Sequence, residues 1–301
     1  MYNRKQIKKN AKLVLRRSYW TCFLVSLLAA ILTGNIRITY KQTYTVSPDN
    51  VSSADQEALS QLAGSGQMSY SAWLHTVWNY LTESNFSKYL LISMAAAIVL
   101  SLITEFFIKT PVRLGHARFY IATREQLNPV DFSYAFYGFK YNYFKKAWAY
   151  FSTRIIIWLW GLLAAIPYVL SLVMTYMRNE DMWMNLALLT LPLLIPSIIK
   201  SYQYRMVPYI LSNNSNIGGK RARELSTAIT KGNKWKLFFL DLSFIGWILL
   251  GVLACFVGIL FVLPYINAAR AEAYTCLKAE AMQTKGISSD EELPSLIGAA
   301  T

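Results

Sequence analysis

The run "WKLFFLDLSFIGW", residues 235–247, continues without a break into "ILLGVLACFVGILFVLPY", residues 248–265. Between Leu237 and Ala269 only Asp241 and Asn267 bring in a charge or an amide. A helix of that length would reach about 50 Å at about 1.5 Å per residue, against about 30 Å of bilayer hydrocarbon. One straight crossing is therefore too long. Gly251, Gly258 and Pro264 offer places to turn, which predicts two crossings, near 237–253 and 256–277, with the tail on the entry side. A single tilted helix ending on the far side is the competing reading.

Four further apolar runs, 19–33, 89–108, 147–170 and 183–202, are candidates for crossing the same thickness. The first is short, and it lengthens inward through Leu13, Val14 and Leu15, whose neighbours Lys12, Arg16 and Arg17 can snorkel to the interface. Composition agrees with this reading. The chain is 54% apolar and 15% charged, where soluble domains carry about 25% charged residues. The expected fold class is all-α, a polytopic transmembrane helical bundle of about six spans.

The net charge of +14 follows the spans instead of forming one patch. Residues 1–18 carry seven Lys or Arg and no acid, 109–146 carry seven against two acids, and 200–236 carry eight against one. Segments 34–88 and 178–182 together hold four basic residues and six acids. By the positive-inside rule the N-terminus, the basic loops 109–146 and 203–236 and the tail are cytoplasmic, and 34–88 faces outward. Nucleic acid is excluded as a partner on the same ground. A secretory signal peptide is disfavoured at residues 1–33, because the segment before the apolar run is long and no A-x-A site follows. The expected organisation is a basic amphipathic N-terminus with the first span (1–33), an extracytoplasmic segment (34–88), a membrane bundle (89–277) and a disordered tail (278–301).

Within 34–88, Trp73, Leu74, Val77, Trp78 and Leu81 recur at helical spacing and predict an amphipathic helix at the outer interface. Segment 109–146 interleaves Tyr and Phe with Lys and Arg. Beside membrane spans that pattern predicts an interfacial belt against anionic lipid headgroups.

Catalytic signatures are scarce, so neither enzymatic activity nor a cofactor is expected. His75 and His116 fall on opposite sides of the membrane by this topology. Cys22, Cys255 and Cys276 form no C-x-x-C and read as buried thiols. "SNIGGKRAREL", 215–225, fails the phosphate-loop pattern, since Asn214 stands where the first Gly should be and Arg221 where Ser or Thr should follow. What remains is a turn at Gly218 and Gly219 leading into Lys220 and Arg221, a candidate contact for a lipid phosphate. The stronger anomaly is three charges inside span boundaries: Glu105, Arg154 and Asp241. All three fall near the cytoplasmic ends, where pairing relieves the cost of burying a charge. The expected pair is Asp241 with Arg154, with Glu105 turned to the same interface and Lys109 four residues beyond it.

Five blocks carry a resemblance: the basic start leading into "SYW", "PVRLGHARFY" at 111–120, "IPSIIKSYQYRMVPYIL" at 195–211, "ELSTAITKGNKWKLFFLDLSFIGWILL" at 224–250 and "LPYINAARAEAYTCL" at 263–277. In order and over most of the chain they resemble a bacterial integral membrane family of unknown function, number 975, widespread in Firmicutes. That family is distantly similar to the membrane domain of some glycerophosphodiester phosphodiesterases, whose catalytic barrel has no counterpart here. The long segment 34–88 and an insertion around 166–194 depart from it. The resemblance implies a plasma-membrane protein and transfers no activity. Two functions follow: a non-enzymatic accessory protein in envelope stress or in lipid or peptide handling, with a membrane protein as a further partner, or a small transporter or permease using the intramembrane charges. A polar cavity would favour the second and a closed apolar interior the first.

Overall fold

The computed structural model describes residues 2–34, 85–126, 130–140, 142–163, 165–167, 169–170, 173, 183–214, 216–254 and 257–285. Every regular element among them is helical: α1 (Arg4–Leu32), α2 (Asn85–Thr104), a π-turn (Glu105–Lys109), α3 (Thr110–Glu125), a 3-10 helix (Phe132–Phe139), α4 (Tyr143–Leu162), α5 (Trp183–Gln203), α6 (Val207–Asn213), α7 (Gly219–Thr230), α8 (Lys234–Leu242), α9 (Ile245–Leu253) and α10 (Val257–Lys285). Two compact units result. One comprises residues 1–37, 102–158 and 198–301, the other 38–101 and 159–197. In the second unit, the α2 side chains of Leu91, Ile92, Ile98 and Leu100 stand exposed, as do Ile166 and Val169.

Among the described residues, three helices are long and apolar enough to cross a membrane: Arg4–Leu32, Leu91–Glu125 and Lys234–Leu253. The other predicted spans are helical in α4, α5 and α10 without meeting that measure among the described residues. For α10 the reason is visible in its sequence, since Arg270, Glu272, Lys278 and Glu280 enter its second half.

The turn expected within 237–269 is present. Asp241 faces Arg270 at 3.4 Å, the Phe244 ring lies 5.2 Å from that of Tyr265, and Gly251 backs onto Gly258 and Ile259. Partner numbers fall on α10 as they rise on α8 and α9, so the chain reverses in an antiparallel hairpin and the single tilted helix does not form. A Cβ on Gly251 would lie 2.7 Å from the Ile259 nitrogen, so the hairpin closes only because that side chain is missing.

The first helix is not the straight rod its apolar run suggests. Ser18 departs from helical geometry (φ −145°, ψ 39°). Before the bend, the Tyr2 amide meets Glu280 at 3.2 Å and Lys12 lies over the Tyr265 ring. After it, Phe23 stacks on Phe261, but Ser26 accepts from Asn267 at 3.1 Å. The partners thus descend α10 to Phe261 and return.

The basic segments 109–146 and 203–236 between the predicted spans are largely helical where described and contribute much of the packed core. α3 continues α2 without interruption. Its Leu114, Phe119, Tyr120 and Ile121 are fully buried, with Val207, Ile210 and Leu211 of α6, Leu225 and Ile229 of α7, and Ala269, Tyr274 and Leu277 of α10. The reason lies in periodicity: these basic stretches place apolar residues three to four apart, so one face packs while Lys and Arg project from the other. Phe119 and Tyr120 therefore face protein, whereas Phe132, Phe136, Phe139, Phe144 and Trp148 remain exposed. Two glycines lock α3 to the 3-10 helix. A Cβ on Gly115 would fall 1.8 Å from the Ala135 carbonyl oxygen, and one on Gly138 would fall 1.9 Å from that of Pro111.

The expected tail is shortened, because α10 runs to Lys285 and buries Leu277 and Ala281. Most of the outward segment, including the predicted amphipathic helix from Trp73 to Leu81, lies outside the described residues, as do Cys255 and the remainder of the tail.

Candidate functional site

The predicted charge network divides into two clusters, one at Glu105 and the other at Asp241. The π-turn widens the helix between α2 and α3, with the Thr110 amide donating to the Glu105 carbonyl five residues back. Around the Glu105 carboxylate gather Arg113, which donates to it directly, Lys109 at 3.6 Å and Arg154 at 3.6 Å. The i,i+4 pair of Glu105 with Lys109 has the expected spacing, whereas Arg154 meets Glu105 and not its expected partner. Asp241 is held by Arg205 and Arg270.

Arg205 forks both oxygens of Asp241, one of the two bonds being 2.8 Å. Tyr202 donates to the same carboxylate at 3.1 Å and Arg270 reaches it at 3.4 Å. The fork holds the carboxylate with two parallel bonds. Arg154 carries the same guanidinium but lies beside Glu105 at 3.6 Å, so placement decides between them. Arg205 and Arg270 sit in the "SYQYRMVPY" and "INAARAEAY" blocks that carried the resemblance. Arg270 lies inside the predicted span 256–277, so an intramembrane cation was visible there and was the signal to follow.

Between the two clusters α1, α3, α4, α6 and α10 enclose a partly open polar cavity of about 240 Å³. Its walls come from helical stripes: Ser26, Ala29, Ala30 and Thr33 from α1 and the residue after it, Arg113, His116 and Ala117 from α3, Leu263, Asn267 and Arg270 from α10. Pro208, Tyr209 and Tyr150 complete them. Spacings of three, four and seven put each set on one helix face. Arg113 and Arg270 belong to the Glu105 and Asp241 clusters respectively, so the cavity joins the two. Among the described residues no carboxylate lines it and nothing accepts from the buried Arg270 Nε.

The floor is fixed by a buried polar network. The Tyr120 hydroxyl lies 2.7 Å from Ser26 Oγ and 3.1 Å from the Cys22 carbonyl, and Asn267 donates to Ser26. Burial pushes the Tyr209 phenol above its usual range, with Arg270 and Arg205 opposing that shift, so at neutral pH it keeps its proton and can donate.

The second candidate, the Gly-Gly turn, has a packing role. A Cβ on Gly219 would lie 2.9 Å from Ala149 Cα, so Gly219 lets α7 start against α4. Gly218 faces open space, and Arg221 pairs with Glu224 at 3.4 Å on the surface. Lys145 instead bonds the Asn216 carbonyl at 2.8 Å, holding the turn from outside. Among the described residues, no group of three or more His, Cys, Asp or Glu is placed to hold a metal. Cys22 and Cys276 are free thiols.

A family model described as "Protein of unknown function (DUF975)" matches residues 1–281. No curated protein and no solved structure matches the chain.

Proposed function

The chain belongs to the DUF975 family, and from that premise we propose that it is a non-enzymatic, multi-pass protein of the bacterial plasma membrane, N-terminus cytoplasmic, acting as an accessory protein in the handling of lipid. The observation that carries this reading is an inversion of ordinary burial. The most apolar helices keep their side chains uncovered, with Leu91 66% and Leu253 81% exposed, while the basic stretches pack into a core. Bare apolar surface of this extent marks an interaction face, and helices of membrane-crossing length suit lipid. Orientation rests on Lys and Arg at 1–18, 109–146 and 200–236.

A second reading, a small transporter or permease, draws support from one observation: the cavity is polar and reaches residues from both ion clusters. Separation of membranes at alkaline pH tests the first reading. The full chain is expected to stay with the bilayer fraction, and release into the supernatant would overturn it. Flux of a phosphate-bearing solute into proteoliposomes above protein-free vesicles would move the assignment to transport.

A further inference from the structure

We propose that the cavity between α1, α3, α6 and α10 is a binding site for a phosphate-bearing anion, gripped by Arg113 and Arg270; this rests on the membrane reading above and names the ligand class that reading lacks. The charge of the site is unbalanced. Among the described residues three cations surround Glu105 and two surround Asp241, so each carboxylate is outnumbered, and neither lines the cavity. Each carboxylate positions one arginine by its tip: Arg113 gives Nη1 to Glu105 and Arg270 gives Nη2 to Asp241. A guanidinium carries five N–H donors. The remainder are left for a ligand, and among the described residues nothing accepts from the buried Arg270 Nε. A buried donor in that state is costly until something accepts from it.

The shape of the anion follows from the arrangement of donors. Asp241 takes a fork from Arg205 and single bonds from Tyr202 and Arg270. The cavity presents the guanidiniums of Arg113 and Arg270 from different helices, with Asn267 and Tyr209 on the same walls. Phosphate, with several acceptor oxygens around one centre, accepts from such separated donors. Size sets a limit as well. At about 30 Å³ per water, the volume of about 240 Å³ holds roughly eight waters, enough for a phosphate and a few attached atoms. Acyl chains do not fit. A phospholipid must leave its tails along the exposed apolar helices, and a free phosphate needs no such path. Ala29, Ala117 and Leu263 give the apolar side that a glycerol carbon would meet.

The test uses the full chain purified in dodecyl maltoside with two probes: inorganic phosphate, followed by calorimetric titration, and dioleoyl phosphatidylglycerol against dioleoyl phosphatidylcholine, followed by native mass spectrometry. Saturable binding of phosphate, or selective retention of the anionic lipid, is expected; displacement of the lipid by phosphate assigns both to one site. Arg113→Gln and Arg270→Gln should each weaken binding at least tenfold. Ala29→Leu should do the same by filling the cavity while leaving every ion pair intact, which keeps the test decisive should an arginine variant misfold. Lys9→Gln, exposed and outside the cavity, should bind phosphate as the wild type does. Absence of saturable binding for both probes, or Ala29→Leu binding unchanged, overturns the site. Failure of the membrane reading shows separately, as protein extracted at alkaline pH.

Discussion

Asp241 holds two guanidiniums and a phenol at once, so its removal strands more charge than a simple pair would. Asp241→Asn is expected to lower the thermal midpoint in detergent. Combined with Arg205→Gln it should recover part of the loss, a coupling of about 0.5–3 kcal/mol for groups in contact. Combined with Arg154→Gln the losses should add, because Arg154 belongs to Glu105. Additivity with Arg205 in a double-mutant cycle would refute the fork. Lys146 carries a different kind of cost. Its ammonium donates to the Lys140 and Tyr137 carbonyls at 2.7 and 3.1 Å and lies 4.1 Å from the Tyr137 ring centre. Burial, with the charge of Arg118 adding to it, pushes its pKa from 10.5 down to about 8. The unfolded chain therefore binds more protons between those two values, and stability attributable to this group rises as pH rises from about 8 to 10.5. Melts of wild type and Lys146→Met across that range should diverge, the wild type gaining relative to the variant. Parallel curves would show that Lys146 does not titrate there.

At the scale of elements, close approach of backbones decides what packs. Gly115 and Gly138 each sit against the other segment's carbonyl, and an added methyl has nowhere to go because its neighbour is main chain. Gly115→Ala and Gly138→Ala should each destabilise by about 1–3 kcal/mol, the usual cost of overpacking. Gly246→Ala, with nothing within 4 Å, should leave the melting temperature unchanged or slightly raised. Equal effects at all three would remove the explanation. The bend at Ser18 bears on topology, since it leaves the outward passage of α1 to be carried by charge bias. Thiol labelling of intact cells, with a single cysteine introduced into a cysteine-free background, checks it. Ser53→Cys should react with an impermeant reagent and Ser133→Cys should be protected. Protection at Ser53 combined with reaction at Ser84→Cys would make α1 re-entrant, and reaction at Ser133 would reverse the whole orientation.

Over the whole molecule, a surplus of +14 is borne largely by segments whose apolar faces are turned inward. Lysines and arginines on such helices point away from the core, and beside a bilayer each is attracted by about 1 kcal/mol to an anionic surface. Nanodiscs containing phosphatidylglycerol should therefore raise the melting temperature above that in phosphatidylcholine. The increment should shrink at about 1 M salt, where the Debye length falls to about 3 Å. This surface effect should persist in Ala29→Leu, which separates it from the cavity. An increment indifferent to salt would count against the surface attraction.

The helical class of the described residues, the reversal within 237–269 and the presence of charges needing partners at Glu105, Arg154 and Asp241 were legible in the sequence, because apolar run length, glycine spacing and charge placement are local properties. The same is true of the meeting of Glu105 with Lys109, four residues apart on one helix. Which segments would form the core was not legible. Basic amphipathic stretches look alike whether their apolar face meets lipid or protein, and only the packing of α3, α6, α7 and α10 against one another distinguishes the two. The partners of Asp241 were hidden for a related reason: Arg154, Arg205 and Arg270 are equivalent as charges, and the choice among them is made by which helices lie side by side. The cavity is the extreme case. Its lining is drawn from five segments far apart in the chain, so the tertiary fold alone brings Arg113 and Arg270 to one space.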